Sequence, residues 1–386
     1  MKYKWGELIS LEYGKPVKDK AKADGKYPVF GTNGQIGTSD LPPLCNGSSF
    51  ILGRKGAYRG VHYSEVPFSV IDTAFYANNL HPELLNIKWA YYKFLTYDIN
   101  SMDSGSAIPS TDRYEIYGIE VDLPSVEEQQ RVVTLLECFD RKLLINEKIN
   151  ENLSEQIKTI CTAWLSDYAP FGGVLPDDWS KTPLSSIADF VSGYSYKGTE
   201  LTESNIAMAT IKNFDRKGGF KLDGYKEIVP SSKLKDTQHA ELFDTLVAHT
   251  DLTQNAEVIG NAEPVMSKSG HSDIVFSMDL VKVVSKNNHI SKFLIAAILQ
   301  DKKFKVHCLG YVNGTTVLHL SKKALPEYQL YLPNDLSALK PLDELVTVLY
   351  QQISANIEEI TKLEALRDTL LPKLMSGELD VSSLDL

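Results

Sequence analysis

The sequence predicts an α+β fold: two similar globular modules joined by two long antiparallel coiled-coil helices with pseudo-two-fold symmetry. Three observations carry this expectation. First, one stretch occurs twice with the same Gly-to-Pro spacing, GSAIPSTDRYEIYGIEVDLP ending at Pro124 and GTTVLHLSKKALPEYQLYLP ending at Pro333. Second, a long heptad-patterned run follows each copy at once. Third, the sequence before each copy breaks into short strand-like runs separated by Gly, Asn, Asp and Pro. A repeat this long, closed by a long helix, describes two globular units and two spacers.

The modules read in order as follows. Each opens on a tryptophan and a short amphipathic segment, Trp5-GELISLEYG and Trp179-SKTPLSSIADFVSG. YPVFGTNGQIG, from Tyr27 to Gly37, is a strand, a Gly/Asn turn and a strand. SSFILGRKGAYRGVHYS, from Ser48 to Ser64, repeats that pattern around a basic turn, and FSVIDTAFYA is a further strand. WAYYKFLTY and SKFLIAAILQDKKF are helical. The expected organisation is a module over residues 1–124, a spacer helix over 125–168, a second module over 169–334, a second spacer helix over 335–376 and a tail over 377–386.

Starting from Val132, the heptad a positions are Val132, Phe139, Asn146, Leu153 and Ile160. From Leu342 they are Leu342, Leu349, Asn356, Leu363 and Leu370. Each set is four apolar residues and one central Asn, and a lone polar a residue specifies register at some cost in stability. Antiparallel pairing predicts that Asn146 and Asn356 face each other. Pro124 and Pro333 precede the helices, where proline is well placed, and Pro372 is expected to distort the last turn of the second. The first helix would span roughly 60 Å at 1.5 Å per residue.

Composition limits the function classes. The chain has 386 residues, 43% hydrophobic and 23% charged, as in an ordinary soluble globular protein. The amino terminus has no apolar signal segment and no apolar run reaches membrane-spanning length, so a cytoplasmic location is expected. Four scattered cysteines, without a CxxC pair, fit a reducing compartment. The net charge of −10 argues against nucleic acid as a partner, but the two heptad runs carry many acids and basic clusters lie in the modules. No phosphate loop, dinucleotide turn or HExxH motif is present, nor is the Asp-Pro-Pro-Tyr type of tetrapeptide with which amino-methyltransferases hold a flipped base. No catalytic and no metal-binding residue is therefore assigned.

With modules, spacers and absent chemistry taken together, the chain resembles the specificity subunit of a type I restriction–modification system over essentially its full length. The segments that carry the resemblance are ILGRKGAYRGV, GSAIPSTDRYEIYGIEVDLPSVEEQQRVV, LVAHTDLTQNAEVIG, NGTTVLHLSKKALPEYQLYLP and LRDTLLPKLMSGEL. The second module lacks the basic GRKG turn, and the modules differ in length. The resemblance implies two target recognition domains, each reading one half of a bipartite double-stranded DNA site, and a coiled coil that fixes the spacer between the halves. It implies a non-catalytic subunit that recruits two methyltransferase subunits and motor-nuclease subunits. S-adenosylmethionine, ATP and Mg would be bound by those partners and no cofactor by this chain.

Base readout needs side chains with paired donors and acceptors. The DNA-binding candidates are Asn33, Gln35, Arg54, Lys55, Arg59 and Ser106 in the first module. In the second they are Lys212, Asn213, Arg216, Thr253, Gln254, Asn255 and Thr315. Phosphate contacts outnumber base contacts in such interfaces, so many of these would only position the DNA. Two other readings compete. A nuclease acting alone has no catalytic constellation behind it, and a coiled-coil scaffold with two protein-binding modules fits the acidic charge.

Overall fold

The computed structural model describes residues 1–20, 22, 24–102 and 109–381. The chain divides into two compact units, Leu144–Lys362 and Met1–Leu143 with the chain from Leu363 on. Two long helices, Val126–Leu165 and Lys340–Ser376, each contribute a part to both units.

The globular module in each unit begins and ends on one antiparallel strand pair. In the first unit Lys2–Lys4 pairs with Glu120–Asp122, and in the second Trp179–Pro183 pairs with Gln329–Pro333. The interior follows one plan. The first unit has a four-stranded antiparallel sheet in the order Ile9–Tyr13, Ala74–Asn79, Ser49–Gly53, Val61–Ser64. The second has Ala188–Ser192, Leu280–Ser285, Thr245–Ala248, Ala262–Pro264 in the same order. A three-stranded sheet accompanies each, in which the central strand, Tyr27–Gly31 or Ile206–Ala209, has one antiparallel and one parallel neighbour. A helix packs into each core, Ile87–Leu95 and Lys292–Leu299, capped by Asn86 and Ser291.

The duplication extends to single atoms. Gly14 N donates to Ala74 O and Lys15 N to Val70 O. Gly193 N donates to Leu280 O and Tyr194 N to Phe276 O. A Cβ on Gly14 would lie 2.0 Å from Ile71 O, and one on Gly193 would lie 2.0 Å from Ser277 O. No side chain fits at either position. This equivalence corrects the pairing of the tryptophans. Trp5 opens the short helix Trp5–Leu8, whose counterpart is Leu184–Ile187, so Trp5 matches Leu184, while Trp179 starts the closing strand. Trp5 is fully buried against Phe94, with ring centroids 4.7 Å apart, and donates from Nε1 to Tyr97 OH.

The first long helix starts on a capping box: Ser125 N donates to Glu128 Oε2 at 2.8 Å, and Glu128 N to Ser125 Oγ at 3.3 Å. In the first unit Val132, Val133 and Leu136 share a core with Leu374 and Met375. In the second, Ile157 and Cys161 share one with Leu342, Val346, Tyr350 and Ile353. The helices run antiparallel within the second unit, since Asn146 reaches Glu359 while Asn150 reaches Asn356. Both heptad asparagines are buried, but they do not pair with each other. Asn146 Nδ2 donates to Glu359 Oε2 at 2.7 Å, and Asn356 Nδ2 donates to Asn150 Oδ1 at 2.8 Å. The predicted register is off by about one turn, because the fit of the apolar neighbours sets the slide and the amides take the polar partners it brings opposite them. Ile149, Leu345 and Leu366, at the d positions of the same heptads and so expected on the apolar stripe, are 41%, 43% and 48% exposed. The second helix continues through Pro372 to Ser376.

The close approach at the two glycines gives a direct test. Gly14→Ala and Gly193→Ala should each destabilise their unit by about 3 kcal/mol or more, as a forced main-chain clash does, whereas Gly47→Ala should stay within ~0.5 kcal/mol. A Cβ at Gly47 meets nothing within 4 Å. Denaturant unfolding measures the cost, and amide exchange should locate the loosening in the unit that carries the substitution.

Candidate nucleic-acid interface

In the first unit two turns lie side by side. The hairpin between Tyr27–Gly31 and Gly34–Ser39 presents Asn33 and Gln35, both exposed. The basic turn after Ser49–Gly53 presents half-buried Arg54 and exposed Lys55. Thr32 joins them: its Oγ1 donates to Lys55 O at 3.0 Å and Thr73 O at 2.8 Å, and its carbonyl accepts from Gly60 N. The Arg54 guanidinium lies 5.0 Å from the centre of the Tyr13 ring, and Arg113 lies 5.0 Å from the same ring. Arg113 also stacks on Tyr114 and donates to its hydroxyl at 3.2 Å. Arg54, Tyr13, Arg113 and Tyr114 therefore form a ladder of alternating guanidinium and aromatic faces. Tyr13 and Tyr114 are 48% and 66% exposed. Such faces accept nucleobases by stacking.

Sequence reasoning missed Tyr13, Arg113 and Tyr114. The signal was the Arg-Tyr pair inside the repeat, which only the fold brings next to Tyr13. Arg59 requires a correction. It is 2% exposed, and its guanidinium donates to Met102 O at 2.7 Å, Asn100 O at 2.7 Å and Thr111 Oγ1 at 3.2 Å. Through these bonds it ties the basic turn to the chain beyond the helix, and its burial keeps the guanidinium away from a phosphate. Ser106 lies outside the described residues.

In the second unit, Lys212, Arg216 and Thr253 line one open groove of about 350 Å³, together with Lys221, Leu252 and Glu257. Arg216 is 69% exposed and paired with Glu257 at 3.1 Å. Asn213 is corrected as Arg59 is. It is fully buried, its Oδ1 accepts from Thr210 N and its Nδ2 donates to Lys221 O, so it builds the turn beneath Lys212. Exposed Gln254 donates to Thr315 O, joining its loop to the exposed segment that carries Thr315, and Asn255 is exposed beside it. Thr253 is half-buried and donates to Asp251 Oδ1 at 2.8 Å. Burial pushes the Asp251 carboxyl up, but hydrogen bonds from Thr253, Val258 and Ile259 outweigh it and hold it low.

The two units differ at one equivalent place. Arg54 N donates to Thr73 O at 2.9 Å, and Arg54 O accepts from Thr111 N at 2.9 Å. His249 makes the same two bonds, to Asp279 O at 2.8 Å and from Leu320 N at 2.9 Å. The basic turn of the first unit is thus replaced in the second by His249-Thr250-Asp251. Burial, with His319 and Lys322 nearby, pushes the His249 imidazole below its ordinary range, which favours the neutral form.

These roles separate under mutation. Arg59→Leu should cost about 3 kcal/mol of stability, because a buried guanidinium that holds three acceptors is lost. Lys55→Ala should stay within ~0.5 kcal/mol. Thermal unfolding of the two variants checks the difference.

Comparison with known proteins shows what these features resemble. Residues 1–155 match the model of the type I restriction modification DNA specificity domain. The chain is 23% identical over 322 residues to the type I restriction enzyme MjaIX specificity subunit of Methanocaldococcus jannaschii, spanning 77% of this chain and 70% of that one. It is 20% identical over 372 residues to the type I restriction enzyme HindI specificity subunit of Haemophilus influenzae, spanning 78% of each. Its fold matches the crystal structure of the type I restriction-modification S subunit from M. genitalium with a TM-score of 0.59 at 19% identity, covering 97% of this chain and 95% of that one. The chain therefore carries the DNA specificity domain match in its first 155 residues and, across most of its length, is similar in sequence to specificity subunits of type I restriction–modification systems.

Proposed function

We propose that this chain recognises a bipartite double-stranded DNA target, with each unit reading one half, and that it recruits the methyltransferase and motor-nuclease subunits of its complex. The observation that carries the reading is the contrast just described. One strand frame occurs twice, and at the same position in that frame one unit offers Arg54-Lys55-Gly56 and the other His249-Thr250-Asp251. A shared frame with different surface chemistry suits two different half-sites. The exposed members of each set, Asn33, Gln35 and Lys55 in one unit and Lys212, Arg216, Gln254, Asn255 and Thr315 in the other, are the candidates for groove and phosphate contacts. Arg59 and Asn213 support the turns from beneath.

In this reading the chain performs no chemistry. Methyl transfer with S-adenosylmethionine and ATP-driven translocation with Mg²⁺ belong to the partner subunits. The long helices, with acids such as Glu147, Glu151 and Glu155 on one and Glu344 and Glu364 on the other interspersed with bases, suit protein partners. No described helix is long and apolar enough to cross a membrane.

Selection from a random duplex library with the full chain and its methyltransferase partner tests this. The expected product is two defined half-sites separated by an undefined stretch of constant length. A single contiguous site, or no preference with the partner present, would overturn it, and the second result would favour a protein-binding scaffold.

A further inference from the structure

The turn that carries Arg216 and Lys217 is held from behind by one buried side chain. Within the turn, Asp215 N donates to Gly219 O at 3.0 Å and Gly218 N to Asp215 O at 3.1 Å, with Gly218 and Gly219 at φ +95° and +114°. Glu263, on the strand Ala262–Pro264, is 5% exposed. Its Oε1 accepts from Gly219 N at 2.8 Å and its Oε2 from Gln300 Nε2 at 2.8 Å. Gln300 Oε1 accepts from the hydroxyl of Tyr350 at 2.6 Å, and Tyr350 is buried on the second long helix. An unbroken run of hydrogen bonds therefore leads from that helix to the rim of the groove.

A carboxylate is an expensive way to hold a turn. An isolated buried charge is strongly disfavoured, and a neutral amide could accept the same backbone N–H. Burial pushes the Glu263 carboxyl up to about 7, against the hydrogen bonds from Gly219 and Gln300 and the charge of Lys158, while Asp215 adds to the rise. Lys158 from the first long helix and Asp215 from the turn are the charged groups facing it, and its other partners, Gln300 and Tyr350, are neutral.

We infer that Glu263 is a positioning residue for DNA recognition: its carboxylate sets the Arg216–Lys217 turn and so the second unit's grip on its half-site. The inference rests on the reading that this groove meets DNA. When ionised, Glu263 accepts on both oxygens and the run to Tyr350 is complete. When Oε2 is protonated, its hydroxyl and the Gln300 amide face each other as donors. Gln300 then turns away and the turn loses its link to the helix. The grip is firm above pH 7 and loosens below it. Stability moves the opposite way. The folded-state pKa lies above the unfolded value of about 4.3, so this residue's contribution is fully present below that value and is lost as pH rises through about 7.

The test uses the full chain with its methyltransferase partner and duplexes altered in one selected half at a time. The wild type should lose about tenfold in discrimination at the second half between pH 8 and pH 6, roughly the worth of a hydrogen bond to a charged group. Its first half-site should not change. Glu263→Gln, which keeps the shape and an acceptor for Gly219, should give a flat profile, and Glu263→Ala should lose about tenfold at every pH. In an Arg216→Ala background, Glu263→Gln should add little. A Glu263→Gln profile that tracks the wild type, or a Glu263→Ala chain that is folded by its melting curve and discriminates normally, overturns the inference alone. A wild type with no preference at either half overturns the DNA reading and this inference with it.

Discussion

The pairing of first strand with last strand in each unit is the constraint on which the rest of this structure depends. Lys2–Lys4 against Glu120–Asp122, and Trp179–Pro183 against Gln329–Pro333, bring the two ends of each module together where a long helix is about to begin. Whatever lies between those strands can vary in length without moving the module's ends. Gly14 and Gly193 add a second constraint, pressing the edge of the four-stranded sheet onto the strand crossing behind it at a distance no side chain permits. Frame and loops are thereby separated: the frame is fixed by main-chain geometry, and the loops are left to chemistry.

That separation explains how one architecture supports two surfaces of different character. The first unit places an aromatic–guanidinium ladder beside a basic turn. The second places a largely neutral histidine at the position of Arg54 and moves its cations to a separate turn, pinned by Glu263 and Asn213. Each surface rests on a buried polar side chain that bonds main chain beneath it, Arg59 in one unit and Asn213 in the other. The chain is acidic overall, yet exposed cations, Lys55 in one unit and Lys212 and Arg216 in the other, stand on the candidate surfaces, so local potential and net charge differ there.

The long helices and the repeat were legible in the sequence because both are periodic or positional signals: heptads around Asn146 and Asn356, and a Gly-to-Pro spacing copied intact. The slide between the helices was not, since it depends on how the apolar side chains interlock rather than on where a stripe is centred. Nor was the correspondence between the modules. A shared tryptophan suggested aligning Trp5 with Trp179, but the hydrogen bonds of Gly14 and Gly193 align Trp5 with Leu184. Among the site residues, Lys55, Lys212 and Arg216 lie on the surface as their type suggests. Arg59 and Asn213 have the same composition-level appearance and lie buried, because a turn rich in glycine must find its rigidity in a side chain beneath it. Tyr13 and Arg113 are a hundred residues apart and meet only through the fold.

The most direct measurement of the central claim, one frame holding two independent readers, is the half-site profile of a chain carrying Gln35→Ala and Lys55→Ala together. Both side chains are exposed on the first unit. The account predicts relaxed preference at one half of the selected site, with the other half and the separation between them unchanged. Equal relaxation of both halves, or a shift in their separation, would contradict it.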